Sequence, residues 1–432
     1  MSLRELSPIS GLDWVSALPS NWAIRTIGRD AWVRARLGWR GLTASEYVDE
    51  GIPMLSTPNI KNSEIDYAGA NRISRERYDE SPEIMLRNGD VLLTKDGSTI
   101  GTVNVVRRLP GPATANGSIA VLSPGPRIDG RYLYWFLASG YAQSIFSRLR
   151  DGMGVPHLFQ RDINRIQYPA PPIEEQRAIA GYLDRETAQI DALIEKQERL
   201  IATLRERRQS LVADAVYASQ QRDTNKRLKH FIRGVRQGWS PQCNSWPADG
   251  VESWGVLKAG AANAGRFRPA ENKELPESET PRPETVVRRG EILVSRANTR
   301  ELVGSAAVVD RDLPRLMLCD KLYALAVDSS SADAEYVSLT LGTRRWRDLI
   351  ELEATGASHS MQNISQADIL NLPFAPPSVE EQRSLVNDLR VRSSDVDFLI
   401  TKAYRLIELS RERRTALITA AVTGQIDVAK GA

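Results

Sequence analysis

Two stretches of the chain carry the same hydrophobic pattern. Residues 174–216 read EEQRAIAGYLDRETAQIDALIEKQERLIATLRERRQSLVADAV and residues 380–422 read EEQRSLVNDLRVRSSDVDFLITKAYRLIELSRERRTALITAAV; they align without a gap, with 19 of 43 positions identical. That agreement exceeds what shared helical composition gives and marks an internal repeat. In each copy apolar residues recur three or four positions apart, which is the spacing of one stripe on an α-helix. Leu183, Ile190, Leu193, Leu200 and Leu211 in the first copy, and Leu389, Val396, Leu399, Leu406 and Leu417 in the second, are expected to form the core of a helix pair. A helix of this length, about 65 Å at 1.5 Å per residue, is too long to stand alone on a narrow stripe and needs a partner. The other copy is the economical one, and a globular segment between them favours an antiparallel pair related by an approximate twofold axis.

The helix ends are signalled as well. Ala170–Pro172 and Ala375–Pro377 place an Ala-Pro-Pro before each copy, Ser378 with Glu381 forms a capping-box pattern, and Gly424 follows the second copy as a stop. Glu174–Glu175 and Glu380–Glu381 open the helices, while the basic runs 205–208 and 411–414 lie towards their C-terminal ends, which complements the helix dipole. Residues 173–217 and 378–424 are therefore read as spacer helices, with residues 425–432 as a tail.

The intervening segments, 1–172 and 218–377, have diverged further but keep a common plan. Residues 88–106 (NGDVLLTKDGSTIGTVNVV) and 289–309 (RGEILVSRANTRELVGSAAVV) each run from Gly-acid into a β-branched and leucine-rich stretch, a basic residue, a polar turn, Gly and a second strand. This predicts a hairpin. Helix-like stretches follow at 132–149 and 334–350, and Gly-rich polar loops at 152–160 and 355–364. Each segment is predicted to be a mixed α/β (α+β) globular domain with its own core. The stretch 271–284, rich in Pro, Glu, Asn and Ser, is expected to be an extended surface loop.

Composition narrows the function classes. Lys and Arg total 57 against 54 Asp and Glu, so the formal charge of +3 is a weak indicator of an anionic partner. No segment is apolar enough to span a membrane, the first residues lack a secretory pattern, and Cys243 and Cys319 form no CxxC; a cytoplasmic, reduced protein without membrane contact is expected. The three histidines, His157, His230 and His359, stand without ligand-spaced partners, so no metal is expected. There is no phosphate-binding GxxxxGK[ST] loop and no NPPY or DPPY adenine-methylation motif, so no catalytic residue or cofactor is assigned.

Taken together, the PPxEEQR opening at Pro171 and its one-residue-longer form at Pro376, the DxLIxK motifs at Asp191 and Asp397, the RERR runs and AAVTG at Ala420 resemble the specificity subunit of type I DNA restriction–modification systems. The resemblance covers nearly the whole chain, although the copies differ at positions such as Tyr182 and Asp388. It implies a non-catalytic DNA-recognition subunit. Two target-recognition domains would each read half of an asymmetric bipartite target, and the helices would set the gap and dock two adenine-N6 methyltransferase subunits. ATP-dependent nuclease activity would reside on restriction subunits.

Base readout calls for side chains that make bidentate or methyl contacts, presented on loops of a rigid scaffold. Candidates in the first domain are Trp39, Arg40, Lys95, Ser98, Thr99 and His157; in the second they are Trp239, Arg296, Asn298, Thr299, Arg300, His359, Gln362 and Asn363. Trp39 and Trp239 suit core-edge packing equally well, and Asn298 suits a turn. Two competing functions are a single-chain nuclease, resting on the E-x-K triplet Glu271–Lys273, and a helical scaffold that binds only proteins.

Overall fold

In a computed structural model, the described residues are 5–9, 15–35, 42–61, 64–150, 157–220, 225–358 and 361–428. The chain divides into two units, Met1–Gln197 with Tyr404–Ala432, and Glu198–Ala403. Both division points fall inside the long helices, so each unit owns part of both.

The first unit is built on strands β1 (Ala31–Arg34), β2 (Ile52–Leu55), β3 (Asn71–Ile73), β4 (Val91–Thr94), β5 (Val103–Val105), β6 (Thr114–Ala115) and β7 (Ile119–Pro124). An antiparallel four-stranded sheet has the order β1-β7-β4-β5, and a smaller three-stranded sheet has the order β3-β2-β6, its β2–β6 pair parallel. Helices α1 (Gly130–Ala138) and α2 (Gly140–Arg150) follow. The expected hairpin is the β4–β5 pair, Val91 opposite Val105. β4 is apolar throughout because it serves two cores: Val91 and Leu93 join the cluster beneath α1, and Leu92 joins the cluster under the small sheet.

The second unit repeats this order. It contains β8 (Ile232–Gln237), β9 (Gly255–Leu257), β10 (Asn272–Glu274), β11 (Ile292–Ser295), β12 (Ala297–Asn298), β13 (Ala306–Val308), β14 (Leu316–Met317), β15 (Leu322–Val327), β16 (Thr355–Ser358) and β17 (Met361–Asn363). Its sheets run β8-β15-β11-β13 and β10-β9-β14, with β12-β17-β16 as an additional three-stranded ribbon. Ile292 and Val294 of β11 face one core and Leu293 the other, as in β4. The stretch 271–284 is not wholly a loop: β10 begins within it, and the buried Asn272 amide bonds the Ala248 carbonyl at 2.9 Å and the Ala248 N–H at 2.8 Å.

Each helix-like stretch after the sheets is two helices. α1 ends at Ser139, whose backbone is extended (φ −68°, ψ 152°), and α4 (Ala334–Gly342) is separated from α5 (Arg344–Glu353) by Thr343 in the same conformation (φ −76°, ψ 155°). The break lets each second helix turn back; both residues are buried and each hydroxyl bonds a carbonyl of the preceding helix.

The repeated stretches form α3 (Ile173–Ser219) and α6 (Val379–Val422). Ser378 and Glu381 cap α6 reciprocally, at 3.0 and 3.3 Å, and Gly424 closes it with φ +70°. In the first unit Ile179 and Leu183 share a core with Ile418 and Val422, and further along Arg414 donates to Asp191 at 3.0 Å, so the two segments run antiparallel. In the second unit Val216 shares a core with Val386, and Arg208 donates to Asp397 at 2.7 Å. These ion pairs join equivalent residues of the two copies.

The seam between the helices is narrower than the expected stripe. Leu183, Ile190, Leu389 and Val396 are buried, and Leu211 and Leu417 are half-buried, but Leu193, Leu200, Leu399 and Leu406 are exposed by 38% or more. At 100° per residue Leu193 and Leu200 lie about 60–80° to one side of Ile190, whereas the buried Ile201 and Leu204 lie within about 40° of it. Ile201, Leu204, Ala403 and Ile407 take the buried positions instead. Ile190→Ala is accordingly expected to cost about 2–5 kcal/mol, and Leu193→Ala to stay within about 0.5 kcal/mol of wild type, by urea unfolding. Equal losses would contradict this register.

Candidate nucleic-acid interface

The β4–β5 turn is held up by glycines. Gly97 (φ +82°) and Gly101 (φ +89°) adopt conformations that side chains resist, and the Gly101 N–H returns to the Thr94 carbonyl at 3.0 Å. Ser98 and Thr99 occupy the exposed tip. Lys95 is fixed from three directions. Its N–H bonds the Ser118 carbonyl at 2.9 Å, its carbonyl accepts from Leu158 N–H at 2.9 Å, and its ammonium lies 3.6 Å from the Asp96 carboxylate. Asp96 also pairs with His157 Nδ1, and the His157 ring meets Phe159 edge-on at 4.6 Å. Lys95, Ser98, Thr99 and His157 thus come together at one end of the sheet.

The second unit builds the same place differently. The Arg296 N–H bonds the Lys321 carbonyl at 2.8 Å and its carbonyl accepts from Ile364 N–H at 3.0 Å, so Arg296 occupies the position of Lys95. Where the first unit has a single bridge between Asp96 and His157, the second has paired strands, Ala297 opposite Asn363 and Asn298 opposite Gln362. The Asn298 amide donates to the Ser295 hydroxyl at 3.2 Å and accepts from Thr299 N–H at 2.9 Å, at the end of its strand next to the turn. The exposed Arg300 lies 3.4 Å from Glu351. Arg296, Asn298, Thr299, Gln362 and Asn363 share this ribbon and its turn.

Trp239 is half-buried at the edge of a core, with the Arg282 guanidinium 4.0 Å from its ring centroid. Trp39, Arg40 and His359 lie outside the described residues. Among the described residues no group of three or more His, Cys, Asp or Glu could hold a metal, and no helix is long and apolar enough to cross a membrane. Glu271 of the E-x-K triplet lies 3.9 Å from Lys258.

Sequence reasoning missed the groups that brace these turns. Arg34 and Asp90 pair at 2.6 Å in the core of the first unit, and Arg236 and Glu291 occupy the same place in the second, Nε to Oε1 at 3.2 Å. Each arginine also bonds two backbone carbonyls, of Glu83 and Met85 or of Glu284 and Val286. The Gln of each EEQR motif is a second brace. Gln176, fully buried, accepts from Asp129 N–H at 2.9 Å and donates to the carbonyls of Pro171 (2.9 Å) and Arg127 (3.0 Å). Gln382 does the same with Asp333, Pro377 and Ser331 at 2.9, 2.9 and 3.4 Å. Asp129 and Asp333 in turn cap α1 and α4. The motif was visible, but its long-range partners were not.

Residues 41–202 match the family described as the type I restriction modification DNA specificity domain. The specificity subunit of the type I restriction enzyme EcoEI from Escherichia coli is 34% identical over 163 residues, which is 38% of this chain and 27% of that relative. The EcoKI specificity subunit of E. coli K12 is 22% identical over 383 residues, 85% of this chain and 81% of its own length. Over residues 41–202 the chain is thus similar to the DNA specificity domain of type I restriction–modification systems. The putative type I restriction enzyme MjaX specificity subunit of Methanocaldococcus jannaschii is 22% identical and is matched over 96% of both chains. The fold agrees with that of specificity subunits. The HsdS subunit of Thermoanaerobacter tengcongensis superposes with a TM-score of 0.53 at 18% identity over 95% of this chain and 98% of its own. A chain from a study of complex assembly and conformational transition in the type I system superposes with 0.67 at 17%, over 95% and 99%.

Proposed function

We propose that this chain reads a bipartite, asymmetric DNA sequence, residues 1–172 reading one half and residues 218–377 the other. The observation that carries this reading is the pair of equivalent turns. On the same sheet order, one unit presents Lys95, Ser98, Thr99 and His157, and the other presents Arg296, Asn298, Thr299, Arg300, Gln362 and Asn363. Similar frameworks with different hydrogen-bonding groups suit two different half-sites. The helices 173–217 and 378–424 set the gap between the halves and dock two adenine-N6 methyltransferase subunits. The exposed Leu193, Leu200, Leu399 and Leu406 favour such a partner, since apolar side chains repeated along a helix are covered in working assemblies. Methyl transfer and ATP-dependent cleavage belong to partner chains, with the complex in the cytoplasm.

Two measurements test this. Duplex binding by the assembled complex is expected to fall steeply as salt rises, because neutralising phosphates releases counterions; salt-independent binding or none would favour a protein-only scaffold. Inserting one helical turn after Val216 is expected to lengthen the unspecific gap in the methylated sequence. An unchanged gap would mean that the helices do not set it.

A further inference from the structure

A cleft of the first unit runs along edge strand β1 and is lined by Arg29, Trp32, Arg87, Arg127, Gln160 and Asn164. Trp32 is 59% exposed, although the alternation in Ala31–Arg34 buries both of its neighbours; one ring face has the Arg34 guanidinium 5.3 Å from its centroid. Arg29 and Arg87 are exposed, and neither guanidinium has an ion pair or hydrogen bond among the described residues. The single acidic group in the lining is Asp30, which is buried and bonded by Arg25 (2.8 Å), Tyr168 (2.8 Å) and Arg127 (3.0 Å). Burial alone would raise its pKa, but those bonds outweigh it and hold the carboxyl below the usual range, so its charge is already spent on them. The cleft therefore carries surplus positive charge beside an open aromatic face.

The cleft is also continuous with the candidate turn. Gln160 donates to the Val33 carbonyl, next to Trp32; Phe159 before it contacts His157, which pairs with Asp96 beside Lys95. The second unit differs at the position of Trp32. Arg236 is the counterpart of Arg34, so Gly234 stands where the first unit has Trp32, with open space around it.

We propose that this cleft is a phosphate-binding groove for the DNA strand flanking the half-site read by the first unit. Arg29 and Arg87 neutralise phosphodiesters, and the Trp32 indole packs against a deoxyribose or a base face. The proposal rests on the DNA-reading function above and adds a contact that holds the strand without reading it.

The test uses the full chain assembled with its methyltransferase subunits, on a duplex carrying the methylated sequence and on one of unrelated sequence. Arg29→Gln with Arg87→Gln is expected to lower the slope of log affinity against log salt by about 1.8 and to weaken binding about 30-fold at 0.15 M salt, equally on both duplexes. Trp32→Ala is expected to weaken binding about tenfold, and Arg29→Lys with Arg87→Lys to keep the wild-type slope. A wild-type slope in the Gln pair, while the unaltered complex binds its target, overturns the groove and leaves the half-site reading intact. Loss of methyltransferase assembly with an unchanged DNA slope also overturns it, making the cleft a protein contact. Failure of the unaltered complex to bind duplex DNA overturns the half-site reading and the groove with it.

Discussion

Asp90→Ala is expected to destabilise the first unit by about 3–5 kcal/mol, because it strands the Arg34 guanidinium inside the core. The pair is 2.6 Å apart with side chains only 1% and 2% exposed. Asp90 also accepts from the Ser123 hydroxyl and the Arg87 N–H, so its removal empties three bonds at once. The desolvation cost of a lone buried cation dominates, and Arg34→Met with Asp90→Leu should recover most of the loss, since an apolar pair of similar volume carries no such cost. In the second unit Glu291→Ala should cost less, because its partner Arg236 is 24% exposed and can reach water. Urea unfolding of the three variants checks the order; equal stability of Asp90→Ala and wild type would contradict the bracing role.

Gln176→Ala is expected to cost about 3 kcal/mol, since it leaves the Asp129 N–H and the Pro171 and Arg127 carbonyls without their partner, at about 1–3 kcal/mol for each group that water cannot reach. The amide is suited to this place because it donates and accepts at once. Gln176→Glu keeps the shape but sets a carboxylate against two carbonyl oxygens, so it should be at least as damaging as alanine. The same holds for Gln382 in the second unit. Because each glutamine ties the first turn of a long helix to the proline turn before it and to the cap of α1 or α4, the damage should also reduce DNA binding by the complex. Thermal unfolding of the Ala and Glu variants decides this; a stable Gln176→Glu variant would show that the donor bonds carry little.

What could be read from the sequence follows the range of the interactions involved. The long helices, their Ser378 cap and their Gly424 stop rest on neighbours three or four positions apart, and all three are present. The β4–β5 and β11–β13 hairpins have short connections and were equally readable. The helix seam was misassigned at Leu193, Leu200, Leu399 and Leu406 because leucine fits either a broad buried stripe or a partner-facing flank, and the pattern alone does not separate them. The breaks at Ser139 and Thr343 were missed because the apolar spacing continues across them. In the candidate site, Lys95 and Arg296 were legible as basic residues after a strand, but Asp96 with His157, 61 positions apart, is a product of the fold. Arg34 with Asp90 and Arg236 with Glu291 are separated by 56 and 55 positions and use different acids, which hid their equivalence. Trp32 did leave a trace: in Ala-Trp-Val-Arg, strand alternation places the indole on the face opposite its buried neighbours.

That the two units read separate half-sites is tested most directly by exchanging residues 1–172 for the corresponding segment of another specificity subunit and mapping methylated adenines by single-molecule sequencing in a host expressing the complete system. One half of the methylated sequence is expected to change, with the other half and the gap retained. Altered bases in both halves would contradict independent reading.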